Sequence, residues 1–429
     1  MLLVTDAFST KPLWHATWFV GSGQQRFVAA SYESALTELG APVIARRMAE
    51  PNEILVLRIG SGGDVEHESK RPLVTWDLHQ YKNSTDDWIK AFRRAVWLRS
   101  RKLKHRAFIG LSSGYDSGAI ALALKLQGQS FLAYTIKGSE DLAVVRKRLE
   151  MCADVAQFEI LTVQAADVDK QRAWLEKSCE KYTYHTGKAL LSDDAAVGVS
   201  LILSSVRRRG GLVYLSGSGV DEIVSDYARR GKLVWPGRPG DGHSHSCFAG
   251  RFPTNLSSIF PWCSFYKGSM RDHLMKEELI GGTHGVETRY PFLDVDVVQE
   301  FLWLRPEVKN SKTYKRPLAD FLSAHSFPNT WDTKAGFGVV SASTSALELR
   351  FGNCGATSEG DAGDCERGER GTWGALHNID ACARRCARCT RCRYISFSRP
   401  SAYGDCSWCA AREALHAQHS SLPRPNTLG

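Results

Sequence analysis

Two short stretches, well separated along the chain, constrain it more than anything else in the sequence. Residues 108–117 read FIGLSSGYDS and residues 213–222 read VYLSGSGVDE. Each is an apolar run that suits a strand. A turn of small residues follows, then a carboxylate at the start of a segment able to form a helix. Backbone N–H groups at such a turn point outward and make an anion site. A carboxylate beside bound phosphate commonly serves Mg²⁺. Two turns of this kind can hold a nucleoside triphosphate and its metal between them. One alone is a weak signal, because Gly/Ser turns after strands are common. The first also contains Gly110-x-Ser112-x-Gly114, the pattern of a hydrolase nucleophile elbow.

Around these turns the chain alternates. Residues 88–101 read as an amphipathic helix, 107–111 as a strand, 117–126 as a helix, 130–136 as a strand and 141–152 as a helix. A strand follows at 158–163, a helix at 197–208, a strand at 212–215 and a helical region over 267–325. Alternation of this kind predicts an α/β fold: a parallel twisted sheet with helices on both faces, its ligands at the carboxyl ends of the strands. Residues 13–59 read instead as short strands around one helix, a small α+β piece. After Phe337 periodicity is lost. Eight of the 12 cysteines then crowd residues 354–409, which marks a separate module.

The pair of turns resembles the ATP-pyrophosphatase domain of the asparagine synthetase family, whose loops read approximately SGGxDS and SGxGxDE. Two further segments extend the likeness. Residues 285–294, GVETRYPFLD, are similar to the family's GxExRxPFLD, and residues 334–337, KAGF, to its late KxGF. The resemblance implies an adenine nucleotide α-hydrolase-like sheet, preceded by a degenerate half of a glutaminase-like domain over residues 1–86. The ATP-binding domain would occupy 87–345, a linker 346–364 and the cysteine-rich module 365–429. It implies an amide ligase of the carbon–nitrogen class that forms AMP and pyrophosphate, using ATP and Mg²⁺ on small-molecule carboxylate and amine substrates. By this likeness the nucleotide lies against Leu111, Ser112, Ser113, Gly114, Asp116, Ser117, Ile136, Ser216 and Gly217. Asp116 and Asp221 take the metal. Lys334 meets the transition state, Lys315 holds pyrophosphate, and Ser218 stands in the catalytic position of the second loop. Glu287, Arg289 and Asp294 are structural.

Each residue has a plainer reading beside this one. Asp116 suits a helix cap, Lys334 a surface lysine, and Ser112 a hydrolase nucleophile served by Asp221 and His273. A synthetase fold that has lost catalysis and acts as a binding module is a third reading. The departures from the family bear on the choice. Ser113 replaces a loop glycine, and Ser218 replaces a glutamate, and a serine needs help to act as a base. Asp193 and Asp194 stand where asparagine synthetases place basic and hydroxyl residues for aspartate, which favours a cationic or amine-bearing substrate. The β-lactam-synthetase branch is the closer analogy. Leu2 stands where a glutaminase needs a cysteine, and no cysteine precedes Cys152. Glutamine hydrolysis is therefore not expected.

A net charge of +9 suits anionic ligands. The runs Arg146–Arg148 and Arg207–Arg209 fall on amphipathic helical stretches and read as solvent-facing charge, so no nucleic-acid partner is expected. No apolar run reaches the ~20 residues of a membrane span, so no membrane partner is expected either. His243, His245 and Cys247 read as part of a loop rather than a metal cluster, and Cys152, Cys179, Cys247 and Cys263 as buried or free thiols. The spacing Cys382-x3-Cys386-x2-Cys389-x2-Cys392, with Cys406-x2-Cys409, leaves zinc and disulfides both open. The module faintly resembles PAN/apple modules, which implies contact with protein or carbohydrate. A cytoplasmic location is the expectation for the ATP-dependent part, and the tail leaves an oxidising compartment open.

Overall fold

The computed structural model describes residues 1–330 apart from 22, 24, 61–63, 138–139, 230–231 and 234–245. Beyond them it describes residues 350–351, 370–376, 386, 394–398 and 404–409. The chain divides into two compact units, one of residues 1–163 with 170–339, the other of 164–169 with 340–429.

The first unit begins with six strands, β1 (Leu2–Val4), β2 (Trp14–Phe19), β3 (Gln25–Ala30), β4 (Arg46–Met48), β5 (Glu53–Ile59) and β6 (Val65–Pro72), and helix α1 (Glu33–Glu38). They form two three-stranded antiparallel sheets, ordered β1-β5-β6 and β3-β2-β4. Phe8, shortly after β1, anchors this region to the rest of the unit. Its ring is fully buried and lies 5.5 Å from Phe265 and 6.0 Å from Trp76.

Next come α2 (Asp86–Ser100), β7 (Arg106–Gly110), α3 (Tyr115–Leu126), β8 (Phe131–Ile136), α4 (Leu142–Met151), β9 (Ala156–Leu161) and α5 (Ala165–Ser178). They are followed by α6 (Asp194–Arg207), β10 (Gly211–Leu215) and a short strand pair, β11 (Ala228–Arg229) and β12 (Lys232–Leu233). The unit continues with α7 (Cys263–Tyr266), α8 (Ser269–Thr283), β13 (Glu287–Arg289), α9 (Val295–Trp303), α10 (Pro306–Lys309) and α11 (Arg316–Ala324). Five strands make one wholly parallel sheet ordered β13-β10-β7-β8-β9. Helices cover both faces, as the alternation of sequence patterns predicts. Every residue of β8 is buried, the pattern of a strand with two covered faces. Ala107 and Ile109 join the core with α2 and α3, whereas Phe108 and Leu132 turn the other way, toward Val206 of α6 beside Gly211. The strand-helix boundaries lie within a few residues of the pattern. β6, β13 and α5 escape it, since β6 has an apolar residue only at its ends and β13 is only three residues long.

The segment Pro291–Leu293 supports the second turn. The Phe292 ring stacks on Phe92 at 4.5 Å and lies 6.4 Å from Trp88. Leu293 presses on Gly219, where an added Cβ would lie 2.5 Å from the leucine, and Gly219 has φ +95. Only glycine adopts such a backbone without strain.

In the second unit, β14 (Arg350–Phe351), β15 (Arg370–Leu376), β16 (Tyr394–Ser398) and β17 (Gly404–Cys409) form a four-stranded sheet ordered β14-β16-β17-β15. Cys386 is disulfide-bonded.

Two expectations about charge and thiols are corrected. Cys247 and Cys263 are joined in a disulfide, while Cys152 and Cys179 are free and buried. Arg148 is fully buried, although Arg146 and Lys147 are exposed. The period of α4 brings Arg148 to the same face as the buried Val145. Arg207 to Arg209 are exposed as expected. Among the described residues no helix is long and apolar enough to cross a membrane.

His284, just past α8, gives a pH-dependent test of this packing. Its Nε2 pairs with Ser200 Oγ at 2.7 Å and its ring lies 4.8 Å from Trp174. Burial first, then Arg207, hold its pKa down from 6.5 to about 4. Between those values the unfolded chain binds a proton that the folded chain refuses. The stability contributed by neutral His284 is therefore complete above pH 6.5 and lost as pH falls toward 4, about 3 kcal/mol in all. Urea unfolding midpoints should fall across this range by more in the wild type than in His284→Gln.

Candidate active site

Both turns lie at the carboxyl edge of the sheet, after β7 and after β10, which are neighbouring strands. In the first turn Ser117 Oγ accepts from Ser112 N at 2.9 Å and pairs with Ser112 Oγ at 2.8 Å. Ser112 Oγ in turn accepts from Gly114 N at 3.2 Å. Gly114 caps α3 in extended backbone, so Asp116 lies in the first turn of that helix and is not its cap. Ser113 is absent from the positive-φ residues, so a serine stands at this glycine position without backbone strain. Its N–H and Oγ–H both donate to Glu140 Oε2 at 2.7 Å.

Arg148 supports the turn from beneath. Its Nη1 donates to Ser112 O at 2.5 Å and Gly114 O at 2.8 Å, its Nε to Pro328 O at 2.7 Å and its Nη2 to Asn329 Oδ1 at 3.0 Å. Gly118 makes room for it: an added Cβ would lie 2.6 Å from the guanidinium. Burial pulls the Arg148 pKa down to about 10, and the group remains a cation at neutral pH.

In the second turn Ser216 N donates to Arg289 O at 2.9 Å, and Ser216 Oγ accepts from Ser218 N at 3.0 Å. The two turns touch, since a Cβ on Gly217 would lie 2.9 Å from Asp116 Cβ. A π-helical turn, Asp221–Ser225, follows and directs Asp221 back toward Asp116. Lys315 joins them: its Nζ lies 2.6 Å from Asp116 Oδ1 and 2.9 Å from Asp221 Oδ1, with the side chain 2% exposed. Burial opposes the Lys315 charge, but Asp116 and then Asp221 outweigh it and hold the ammonium above the ordinary lysine value. Tyr314 Oη donates to Asp221 Oδ1 at 2.9 Å. Leu111 and Ile136 are buried at the ends of β7 and β8, adjacent strands in the sheet.

Next to Ser218 stands Glu277 of α8, which the sequence pattern of the turns does not mark. Ser218 Oγ donates to Glu277 Oε1 at 2.8 Å, and Glu277 Oε2 is buried without a hydrogen-bond partner among the described residues. Burial holds this carboxyl above the ordinary glutamate value, against the opposing pull of the nearby Ser216 and Ser218 hydroxyls. A pair of acids, Glu277 and Glu278, inside a helix whose neighbours Met275 and Leu279 are core residues is the signal that could have found it. On the same helix, the His273 Nδ1 lies 2.8 Å from the buried Glu222.

Asp193 and Asp194 do not form an open acidic pocket. Asp193 accepts from Tyr184 Oη at 2.9 Å, from Lys276 Nζ at 3.4 Å and from Ala195 N. Burial opposes its ionisation, yet Lys276 and these hydrogen bonds bring its pKa down to about 2. Asp194 pairs with Arg172 at 2.7 Å. Both are satisfied within the fold and give no argument for a cationic substrate. Arg289 Nε lies 2.9 Å from Glu287, and its Nη1 donates to Arg99 O. Asp294 caps α9 and pairs with Arg99 at 2.7 Å. The Ser112 hydroxyl pairs with Ser117 and Gly114, and Asp221 bonds Lys315, Tyr314 and Ser225. The pairing with His273 that a hydrolase reading needs is not among the described contacts. Lys334, with the rest of residues 334–337, and His243 and His245 lie outside the described residues.

Comparison with known proteins places the chain in a family. The family model described as asparagine synthase matches residues 87–255 and 262–350, more than half of the chain, and the chain belongs to that family. A candidate glutamine-hydrolysing asparagine synthetase 1 of Methanocaldococcus jannaschii is 24% identical over 338 residues. The match takes in 74% of this chain and only 56% of that relative's length. Among solved structures, an NH3-dependent NAD synthetase from Campylobacter jejuni matches at 17% identity and TM-score 0.24, over 35% of this chain and 64% of the other. An NMN synthetase from Francisella tularensis matches at 13% and 0.26, over 55% and 97%. Likenesses so low in TM-score carry no argument.

Gly118→Ala tests the support of the first turn. The methyl must displace a guanidinium fixed by four acceptors, so stability should fall by about 1–3 kcal/mol, the range of an overpacked core. Denaturant unfolding of the variant measures it.

Proposed function

We propose that this chain is an ATP-dependent amide ligase that adenylates a substrate carboxylate and transfers the acyl group to an amine or ammonia, without glutaminase activity of its own. The observation that carries the reading is the convergence of Asp116, Asp221 and Lys315 where the two turns meet. Family membership supports it. In the reaction, a carboxylate oxygen bonds to the α-phosphorus of ATP as pyrophosphate leaves. The amine nitrogen then bonds to the acyl carbon as AMP leaves, and one proton is released.

The turn at Ser112 to Ser117 supplies amides for pyrophosphate, and Ser216 and Gly217 form the opposite wall. Leu111 and Ile136 give an apolar surface for adenine. Asp116 and Asp221 suit Mg²⁺: they are hard oxygen donors and already converge on one positive charge. Among the described residues no group of three or more His, Cys, Asp or Glu is arranged for a metal. Two carboxylates with phosphate oxygens make up the usual Mg²⁺ environment. When bound, the ion would neutralise phosphate charge. Lys315, released from the carboxylates, is placed for pyrophosphate, and the proposal gives Lys334 the transition-state charge.

Ser218 and Glu277 offer a path for the amine proton. The serine oxygen can take a proton from the attacking nitrogen while its own passes to Glu277, whose raised pKa makes it the better base. This answers the absence of a carboxylate at residue 218.

ATP–pyrophosphate exchange screened over carboxylic acids tests the reading. Exchange that depends on one acid is the expected result, with loss of Mg·ATP binding in Asp116→Asn and in Asp221→Asn. No exchange with any acid, together with unchanged Mg·ATP affinity in both variants, overturns it. Glu277→Gln should leave exchange intact and lower amide formation by about 10²-fold, the lower end of a general-base contribution.

A further inference from the structure

The first turn contains an imbalance of charge. Arg148 is buried to 0% exposure, yet its hydrogen bonds go to three backbone carbonyls and one amide oxygen, all uncharged. A guanidinium fixed in this way against the carbonyls of the turn makes the turn electropositive. Glu140 stands first among the charges acting on Arg148, and Asp116 second. Glu140 has taken the donors that face it: Ser113 N–H and Oγ–H both reach its Oε2 at 2.7 Å. Its other oxygen, Oε1, is buried with no hydrogen-bond partner among the described residues. A carboxylate with a purely structural role has both oxygens satisfied, because an unpaired buried acceptor costs about 1–3 kcal/mol. Glu140 is held on one oxygen only.

We propose that Glu140 is a built-in occupant of the phosphate turn. In the free chain its carboxylate fills the anion position over Arg148. An incoming triphosphate takes over the Ser113 donors by displacing it. This rests on the reading of the turn as a nucleotide site and adds the residue that sets its affinity. Lys315 plays the opposite part at the neighbouring carboxylates, an ammonium held between the two proposed for the metal. Displacing Glu140 breaks its two hydrogen bonds to Ser113 before the triphosphate can make its own, which weakens binding.

Titration calorimetry of the full chain with Mg·ATP, and separately with Mg·pyrophosphate, tests the proposal in the wild type, Glu140→Gln and Glu140→Ala. Removing the charge should tighten both ligands by about tenfold, the scale of one hydrogen bond to a charged group. Circular dichroism establishes that each variant is folded. Binding by the variants where the wild type shows none also supports the proposal. Wild-type binding with equal or weaker affinity in both variants overturns the proposal and leaves the nucleotide site standing. Absence of binding in all three proteins overturns the nucleotide site, and the proposal with it.

Discussion

The buried ammonium of Lys315 is the constraint on which the candidate site depends. It comes from the residue preceding α11, at φ +47, and enters between two carboxylates from separate strand ends. Asp116 and Asp221 would repel one another at this distance without it, and a lone ammonium could not be buried without them. The sheet brings β7 and β10 side by side, but this ion triplet brings the two turns to a common point. Tyr314, adjacent in sequence, bonds Asp221 and meets Tyr115 edge-on at 5.8 Å. One short segment before α11 thus bonds to both turns.

Much of this is legible in the sequence. The parallel sheet follows from the alternation of apolar runs with amphipathic segments. The two turns follow from the small residues that a strand-to-helix connection needs. Asp116, Asp221 and Lys315 each stand out in the sequence, although their meeting does not. The rest depends on long-range packing that no local pattern carries. Arg148 belongs to a charged run on a helix, and only the absence of a side chain at Gly118, well before it in the chain, leaves space for it under the turn. Glu140 precedes the Asp141 cap of α4 and looks like an ordinary loop acid. Cys247 and Cys263 carry no pairing signal in their spacing. Asp193 and Asp194 draw their meaning in the sequence from position in a family pattern, and their partners Lys276 and Arg172 are remote along the chain.

Those acids change the question of what the site accepts. An acidic pair open to solvent would select a cation, but Asp193 and Asp194 are committed to helix α6 and to basic partners. Glu277, like Glu140, is incompletely satisfied, with one oxygen bonded by Ser218 and the other buried without a partner among the described residues. Ser218 stands in the second turn, and Glu277 on α8 accepts a hydrogen bond from its hydroxyl. A carboxylate mounted on a helix is held more rigidly than one on a loop.

The free chain therefore neutralises its own active edge. The proposed metal position holds an ammonium, and the proposed phosphate position holds a carboxylate. Each stand-in comes from a residue placed by an element that follows the sheet strands: Lys315 by α11, Glu140 by α4. Lys315 is paired with Asp116 and Asp221, and Glu140 accepts from Ser113, so neither charge is left bare. Mg·ATP carries the same two charges in the same order, a cation beside an anion. Binding then exchanges one balanced arrangement for another, and its free energy is the difference between two sets of ion pairs. Such an exchange favours a ligand that brings metal and phosphate together. Phosphate alone would displace Glu140 with Lys315 still confined between the aspartates, and metal alone would displace Lys315 without a phosphate to receive it. On the proposed reading, the paired stand-ins would favour the complex over either component.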